Sequence, residues 1–350
     1  MLFRSEGRVV PAVVLLGAQR YNPTLGDAIK ELGVKGKIAT ITAGWQERED
    51  DDADLIEHLG PGAVNLKLHA RGEDVFRKDK ELLNAHRERQ TILRHRQDFY
   101  RVRLEHALDA QHVIDQRAAP DEILEDEART SIDAIRNIDA LHLERCTKDR
   151  RDFDARYRPL ERGPIAKHRK ELAKILADCE AIAIAGGHVA SLLNRLRLFG
   201  IAELAQGKTI FAWCAGAMAI SERVVLFHDS PPQGPGAAEV LDAGLGFVGD
   251  VVVLPQPEFR LKLGDRARLK VMVRRFAPAT CIAMPARSRV TWLRSGPTAP
   301  YGAFAIRDDG THSFEPSARK SGHPPPGAVE LSPSSTAIPV SKRTPPSKLA

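Results

Sequence analysis

Short, unbroken apolar runs mark both ends of the folded sequence, and a long charged stretch separates them. Val9–Leu16, Lys37–Thr42 and Ala63–Leu68 are rich in β-branched residues and predict strands, with Leu25–Leu32 predicting a helix between the first two. Strands that are apolar throughout, rather than at every second position, belong to a parallel sheet covered on both faces. From Arg71 to Asp178 the pattern changes. That stretch holds 24 Lys/Arg and 23 Asp/Glu and almost no strand-like run. Amphipathic helices are predicted over Asp79–Ile114 and Pro120–Leu143, the second carrying Leu124, Ala128, Ile132, Ile135, Ile138 and Leu141 as one stripe. Pro164 suits a helix start, so a third helix runs from there to about Asp178.

At Ala181 the strand–helix alternation resumes. Ala181–Ala185 predicts a strand ending in Gly186-Gly187-His188, Val189–Leu198 a helix, and Thr209–Trp213 a strand that runs directly into Cys214-Ala215-Gly216-Ala217. Val224–Leu226, Val251–Leu254, Cys281–Met284, Val290–Leu293 and Ala303–Ile306 complete the strand expectations. The predicted fold class is three-layer α/β/α with a mostly parallel central sheet. Its first part covers residues 1–70, a charged helical insertion covers 71–178, and the second part covers 179–315. Residues 316–350 are rich in Pro, Ser and basic side chains. They bury too little apolar surface to offset ordering entropy, which predicts a disordered tail.

Composition narrows the function classes. The longest apolar run, Val9–Ala18, spans ten residues and contains Pro11, well short of a membrane span. The 350-residue chain carries a net charge of +6, but Arg319, Lys320, Lys342, Arg343 and Lys348 against Glu330 place +4 of it after Ser317. The folded body is therefore nearly neutral, which argues against a nucleic-acid groove. Cys146, Cys179, Cys214 and Cys281 show neither close pairing nor metal-ligand spacing, the usage of a reduced, cytoplasmic protein. The chain has no Walker loop, no Gly-x-Gly-x-x-Gly and no His-Glu-x-x-His, and neither a metal nor an organic cofactor is called for.

The most informative segment is Thr209–Ala219. An apolar strand passes through one residue, Cys214, into a helix of small residues, the arrangement of a nucleophile elbow. Such a turn holds its nucleophile at a helix N-terminus, where backbone N–H groups favour a thiolate and then an oxyanion. The alternative is a small buried cysteine at a strand end. Ala212 also stands where the usual signature has glycine. Gly186-Gly187 sits at a similar junction one strand earlier, so Gly187 and Ala215 are the expected oxyanion donors.

These segments resemble the aspartyl dipeptidase and cyanophycinase group of serine peptidases, which have the class I glutamine amidotransferase-like fold. The likeness covers about Ala181 to Ala286. It rests on Ala183-Ile184-Ala185-Gly186-Gly187 with Leu192-Leu193, on Cys214-Ala215-Gly216-Ala217, and on Gly244-Leu245-Gly246 before a Val-rich strand. The resemblance implies a hydrolase of amide or peptide bonds with Cys214 at the nucleophile position and Asp229 as the acidic partner. It also implies a histidine where this chain has Gln256, a side chain that accepts no proton near neutral pH.

His188 and His228 are the substitutes for that base, unless the helix N-terminus activates Cys214 without one. Gly186, Gln256 and Arg260 are the expected substrate contacts, with a small peptide or amide as substrate. Two other readings stay open: a catalytically inactive binding or scaffold protein, and a cysteine-based amidotransferase-like protein. The charged helices cap the site, form a homodimer contact or decorate an edge; the sequence leaves all three open.

Overall fold

The computed structural model describes residues 11–228, 236–293 and 296–313. The chain opens with β1 (Ala12–Leu16), α1 (Leu25–Glu31) and β2 (Lys37–Ile41). After a 3-10 segment at Ala43–Arg48 come α2 (Ala53–Leu59), β3 (Ala63–Asn65) and α3 (Leu68–Lys78). Two long helices, α4 (Lys80–Asp115) and α5 (Asp121–Tyr157), pair as a hairpin, and α6 (Gly163–Ala177) leads back to the sheet. Then follow β4 (Cys179–Ile184), α7 (Val189–Leu198), α8 (Ile201–Leu204), β5 (Thr209–Trp213) and α9 (Ala215–Ile220). The last part carries β6 (Arg223–Leu226), β7 (Glu239–Ala243), β8 (Val251–Pro255), α10 (Pro257–Arg260) and α11 (Arg266–Phe276). It ends with β9 (Thr280–Met284), β10 (Arg289–Leu293), β11 (Gly296–Pro297) and β12 (Phe304–Ala305).

The central sheet has seven strands in the order β11-β10-β1-β5-β4-β2-β3. β1, β5, β4, β2 and β3 are parallel; at one edge β10 pairs antiparallel with β1, and β11 antiparallel with β10. Burial explains the unbroken apolar runs. Along β1, Val13 and Leu15 enter one core while Val14 and Leu16 enter the other. Along β5, Ile210 and Ala212 divide from Phe211 and Trp213 in the same way. Alternate side chains of a strand point to opposite faces, so a sheet covered on both sides needs apolar residues at every position. The fold is mixed α/β with helices flanking a mostly parallel sheet, as the sequence predicts.

Several elements differ from expectation. β8 and β9 do not join the main sheet but pair in parallel with each other, with β12 beside β9. β7 is an unexpected strand that pairs with β6. α5 continues past Leu143 to Tyr157 because Cys146 and Phe153 go on filling its buried face after the Leu/Ile stripe ends. The strand expected through Leu68 stops at Asn65, and α3 begins after Lys67, which is left-handed at φ 51°. The boundary expected at residue 71 therefore falls within a helix. All described residues belong to one compact unit. The expected tail at 316–350 and Asp229 lie outside the described residues. Among the described residues no helix is long and apolar enough to cross a membrane.

The helical hairpin is fastened by a buried polar cluster. Arg275 of α11 and Asp139 of α5 are each 4% exposed. The guanidinium donates through Nε to Asp139 Oδ2 and through one terminal nitrogen to Oδ1, both at 2.7 Å. The Tyr100 hydroxyl of α4 donates to Asp139 at 2.8 Å, and accepts from Arg275 at 2.8 Å and from the Val240 N–H at 2.9 Å. The opposite charges are paired and both Asp139 oxygens accept hydrogen bonds, so the cluster tolerates burial that would otherwise be prohibitive. Asp139→Ala leaves the guanidinium buried without its counter-ion and is expected to lower stability by about 3–5 kcal/mol in urea denaturation. A loss within experimental error would show that the cluster does not hold the hairpin.

Candidate active site

The carboxyl ends of β2, β4 and β5 lie side by side. The pairs Ile41↔Ile184 and Ile184↔Ala212 set the strand tips level, so the loops that follow meet at one edge of the sheet. β5 ends at Trp213, and Cys214 makes the whole turn into α9 with φ 50° and ψ −122°. A side chain in that conformation is strained, and such strain persists only where surrounding packing enforces it. The packing is visible. α9 is buried along its whole length, and a Cβ placed on Gly186 would stand 2.8 Å from Cys214 Cβ and 3.5 Å from the Ala215 nitrogen. Only glycine lets β4 end this close to the elbow.

Gly187 follows at φ 109°, a glycine conformation, and any Cβ there would collide with the Gly44 carbonyl. That carbonyl accepts from the His188 N–H at 2.7 Å, which ties the β2 loop to the β4 loop. Gly186 is buried, whereas Gly187 and His188 are exposed. The sequence-predicted Gly186, Gly187, Cys214 and Ala215 thus share one edge.

His188 is occupied. Its Nδ1 accepts from the Ser191 N–H at 3.2 Å, capping α7, and lies 3.1 Å from Ser191 Oγ. Ser191 Oγ in turn accepts from Gln46 Nε2 at 2.8 Å. An Nδ1 that accepts leaves the ring proton on Nε2, so His188 presents a donor outward rather than a base. His228 follows β6 and is exposed. Among the described residues, no imidazole and no other side chain makes a hydrogen bond to Cys214 Sγ.

The charges that act on the thiol come from α10. Arg260 favours the thiolate and Glu258 opposes it, but burial dominates and pushes Cys214 up to about 11. This counts against the alternative in which the helix alone activates the thiol: removing it from water costs the anion more than the surrounding charges return. Cys146, Cys179 and Cys281 are buried, and Cys214 is the half-buried one. Gln256 is half-buried, left-handed at φ 55°, and lies between Pro255 and Pro257. Its N–H donates to the Met284 carbonyl at 3.1 Å, and its own carbonyl starts α10 by accepting from Phe259 and Arg260.

Four participants escaped the sequence reading. Gln46 has φ 57° and ψ −121°, nearly the dihedrals of Cys214, in the loop after β2. Gly44 provides the close approach to Gly186 and Gly187, and Ser191 links Gln46 to His188. Glu258 keeps Oε2 buried with no hydrogen-bond partner among the described residues. Nothing in the sequence marks them, because their significance lies in which strand neighbours which. Among the described residues no group of three or more His, Cys, Asp or Glu side chains could hold a metal ion.

No protein-family profile matches the chain, and no curated protein does. Among solved structures, one described as a peptidase from an acI-B1 Actinobacterium is similar at 14% identity with a TM-score of 0.35, covering 81% of this chain and 84% of that one.

Two outcomes test the geometry. The rate of Cys214 alkylation by iodoacetamide is expected to rise with pH without levelling before about 11. Arg260→Ala should move that titration to higher pH and Glu258→Gln to lower pH; identical profiles in all three proteins would mean that α10 does not face the thiol. Gly186→Ala drives a methyl group into Cys214 and is expected to cost roughly 1–3 kcal/mol in chemical denaturation. An unaffected Gly186→Ala protein would mean that the elbow is not held by that contact.

Proposed function

We propose that this chain is a peptidase-like hydrolase of amide bonds in which Cys214 is the nucleophile. The observation that carries the reading is the strained single-residue turn at Cys214, backed by Gly186 and followed by a buried helix. Strained residues cluster at functional sites, and here Gln46, Cys214 and Gln256 all have positive φ in the segments that follow strands β2, β5 and β8.

In this reading the Cys214 sulfur attacks the carbonyl carbon of a small peptide or amide, and the carbonyl π electrons move to oxygen. The N–H groups of Gly187 and Ala215 hold that oxyanion. Collapse expels the amine, which takes up a proton, and water then releases the acid from the thioester. His188 serves as a hydrogen-bond donor to substrate through Nε2, and Arg260 pairs with an anionic group on it. Gly186 and Gln256 line the approach to the sulfur. Asp229 retains the acidic role that the family resemblance gives it. A thiol near 11 is ionised in about one molecule in ten thousand at neutral pH, so turnover is slow and climbs with pH.

A second reading has its own support. The absence, among the described residues, of any hydrogen bond from an imidazole to Cys214 Sγ favours a binding protein that keeps the elbow as architecture. Hydrolysis of a panel of dipeptides, β-aspartyl dipeptides and amino-acid amides separates the two. The expected result is amine release that increases about tenfold per pH unit between pH 7 and pH 10. Cys214→Ala should abolish it, and Cys214→Ser should also be inactive because a hydroxyl is far harder to ionise. No release from any substrate, or release that survives in Cys214→Ala, would sink the hydrolase reading.

A further inference from the structure

One carboxylate beside the elbow has no role in the steps above. Glu258 of α10 is half-buried, and its Oε2 is buried with no hydrogen-bond partner among the described residues. Such an oxygen is costly to keep unless a donor reaches it. Backbone contacts carry α10 to the elbow. Leu16 of β1 pairs with Trp213 of β5, so Gly17 and Cys214 leave the sheet level with each other. Gly17 lies so close to the Pro285 carbonyl that a Cβ on it would stand 1.9 Å from that oxygen. The preceding carbonyl, of Met284, accepts from the Gln256 N–H at 3.1 Å, and the Gln256 carbonyl accepts from Phe259 and Arg260 to start α10. Short contacts therefore run from the end of β5 across β1 and β9 to Glu258. Its charge acts on the thiol accordingly, opposing the Cys214 thiolate.

We propose that Glu258 is the general base of the second half-reaction, taking a proton from the water that releases the acyl group from Cys214. The inference rests on the hydrolase reading and adds a catalytic residue to it. A carboxylate is deprotonated at neutral pH and accepts a proton from water as the water oxygen attacks. His188 is not free for that task through Nδ1, which accepts from the Ser191 N–H. As the water oxygen bonds to the thioester carbonyl carbon, one water proton passes to Glu258 and the carbonyl π electrons move to oxygen. Collapse re-forms the carbonyl, breaks the C–S bond and leaves the acid and a Cys214 thiolate. Glu258 then gives its proton to the sulfur. A thiol titrating near 11 is a far stronger base than a carboxylate, so that transfer runs downhill and restores both groups. The charge that hinders ionisation of Cys214 in the first half-reaction thus serves its release in the second.

Acetyl transfer from p-nitrophenyl acetate to the full-length chain separates the half-reactions. The nitrophenolate burst reports acylation, and intact-mass spectrometry of the desalted acetyl-protein, mapped to Cys214 by proteolysis, reports deacylation. Near neutral pH, Glu258→Gln should speed acylation, because the opposing charge is gone, and slow deacylation by about 100-fold or more. A purely structural residue would not move the two steps in opposite directions. Glu258→Asp keeps the charge but draws it back, so acylation should match the unsubstituted protein while deacylation falls between the other two. Hydroxylamine attacks a thioester without a base, and should clear the acetyl group equally fast from the unsubstituted and Glu258→Gln proteins. Deacylation of Glu258→Gln at the unsubstituted rate would overturn the role of Glu258 and leave the hydrolase reading standing. Slower clearance by hydroxylamine in that variant would also overturn it, by showing a distorted site instead of a missing base. An unsubstituted protein that never carries acetyl on Cys214 would remove the hydrolase reading and this inference together.

Discussion

The candidate site depends on one close backbone approach: the end of β4 pressed against the turn that leaves β5. Gly186 has no Cβ, so Cys214 can turn the chain alone at φ 50° while its sulfur stays at the rim of the sheet. A larger residue at 186 would push the strands apart and let the turn relax into an ordinary loop. The Gly44 carbonyl, accepting from the His188 N–H, ties the β4 loop to the β2 loop beside it. Three loops from three adjacent strands thereby become one rigid frame. Pre-organisation of this kind is what lets backbone amides stabilise charge without rearranging.

The frame and the thiol pull in opposite directions. The same packing that enforces the turn removes the sulfur from water, and desolvation outweighs the attraction of Arg260. The result is a thiol set in a tight turn but weakly ionised. His188 does not offset this, because the bond to Ser191 that caps α7 commits its Nδ1 lone pair. A second, unrelated polar arrangement holds the helical hairpin. There Arg275, Asp139 and Tyr100 bond one another and join α11, α5 and α4.

Much of the fold was legible because the sheet is covered on both faces. Val13–Leu16 and Ile210–Trp213 could be read as buried strands from composition alone, and the run from Trp213 into Ala215-Gly216-Ala217 announced the elbow. Helix ends were less legible. α5 runs on to Tyr157 through a sequence dominated by charge, where only Cys146 and Phe153 continue the buried face. The departure of β8 and β9 into their own sheet left no trace in local patterning, since a strand's neighbours are fixed by tertiary packing. The same holds for the site. Cys214 and Gly186 stand out at strand ends, whereas Gln46 and Glu258 gain meaning only once β2 and α10 are placed beside them. A helix terminus at Cys214 is visible in sequence, whereas the desolvation that raises its thiol is not.

Intact-mass spectrometry of the protein, acid-quenched during incubation with an amide substrate at pH 9 to 10, about the upper limit for unmodified lysines to stay charged, addresses the central claim most directly. The account predicts a transient mass increase equal to the acyl portion of the substrate, mapped by proteolysis to the peptide containing Cys214. Product formation with no adduct on that peptide, or an acyl group found elsewhere on the chain, would contradict it.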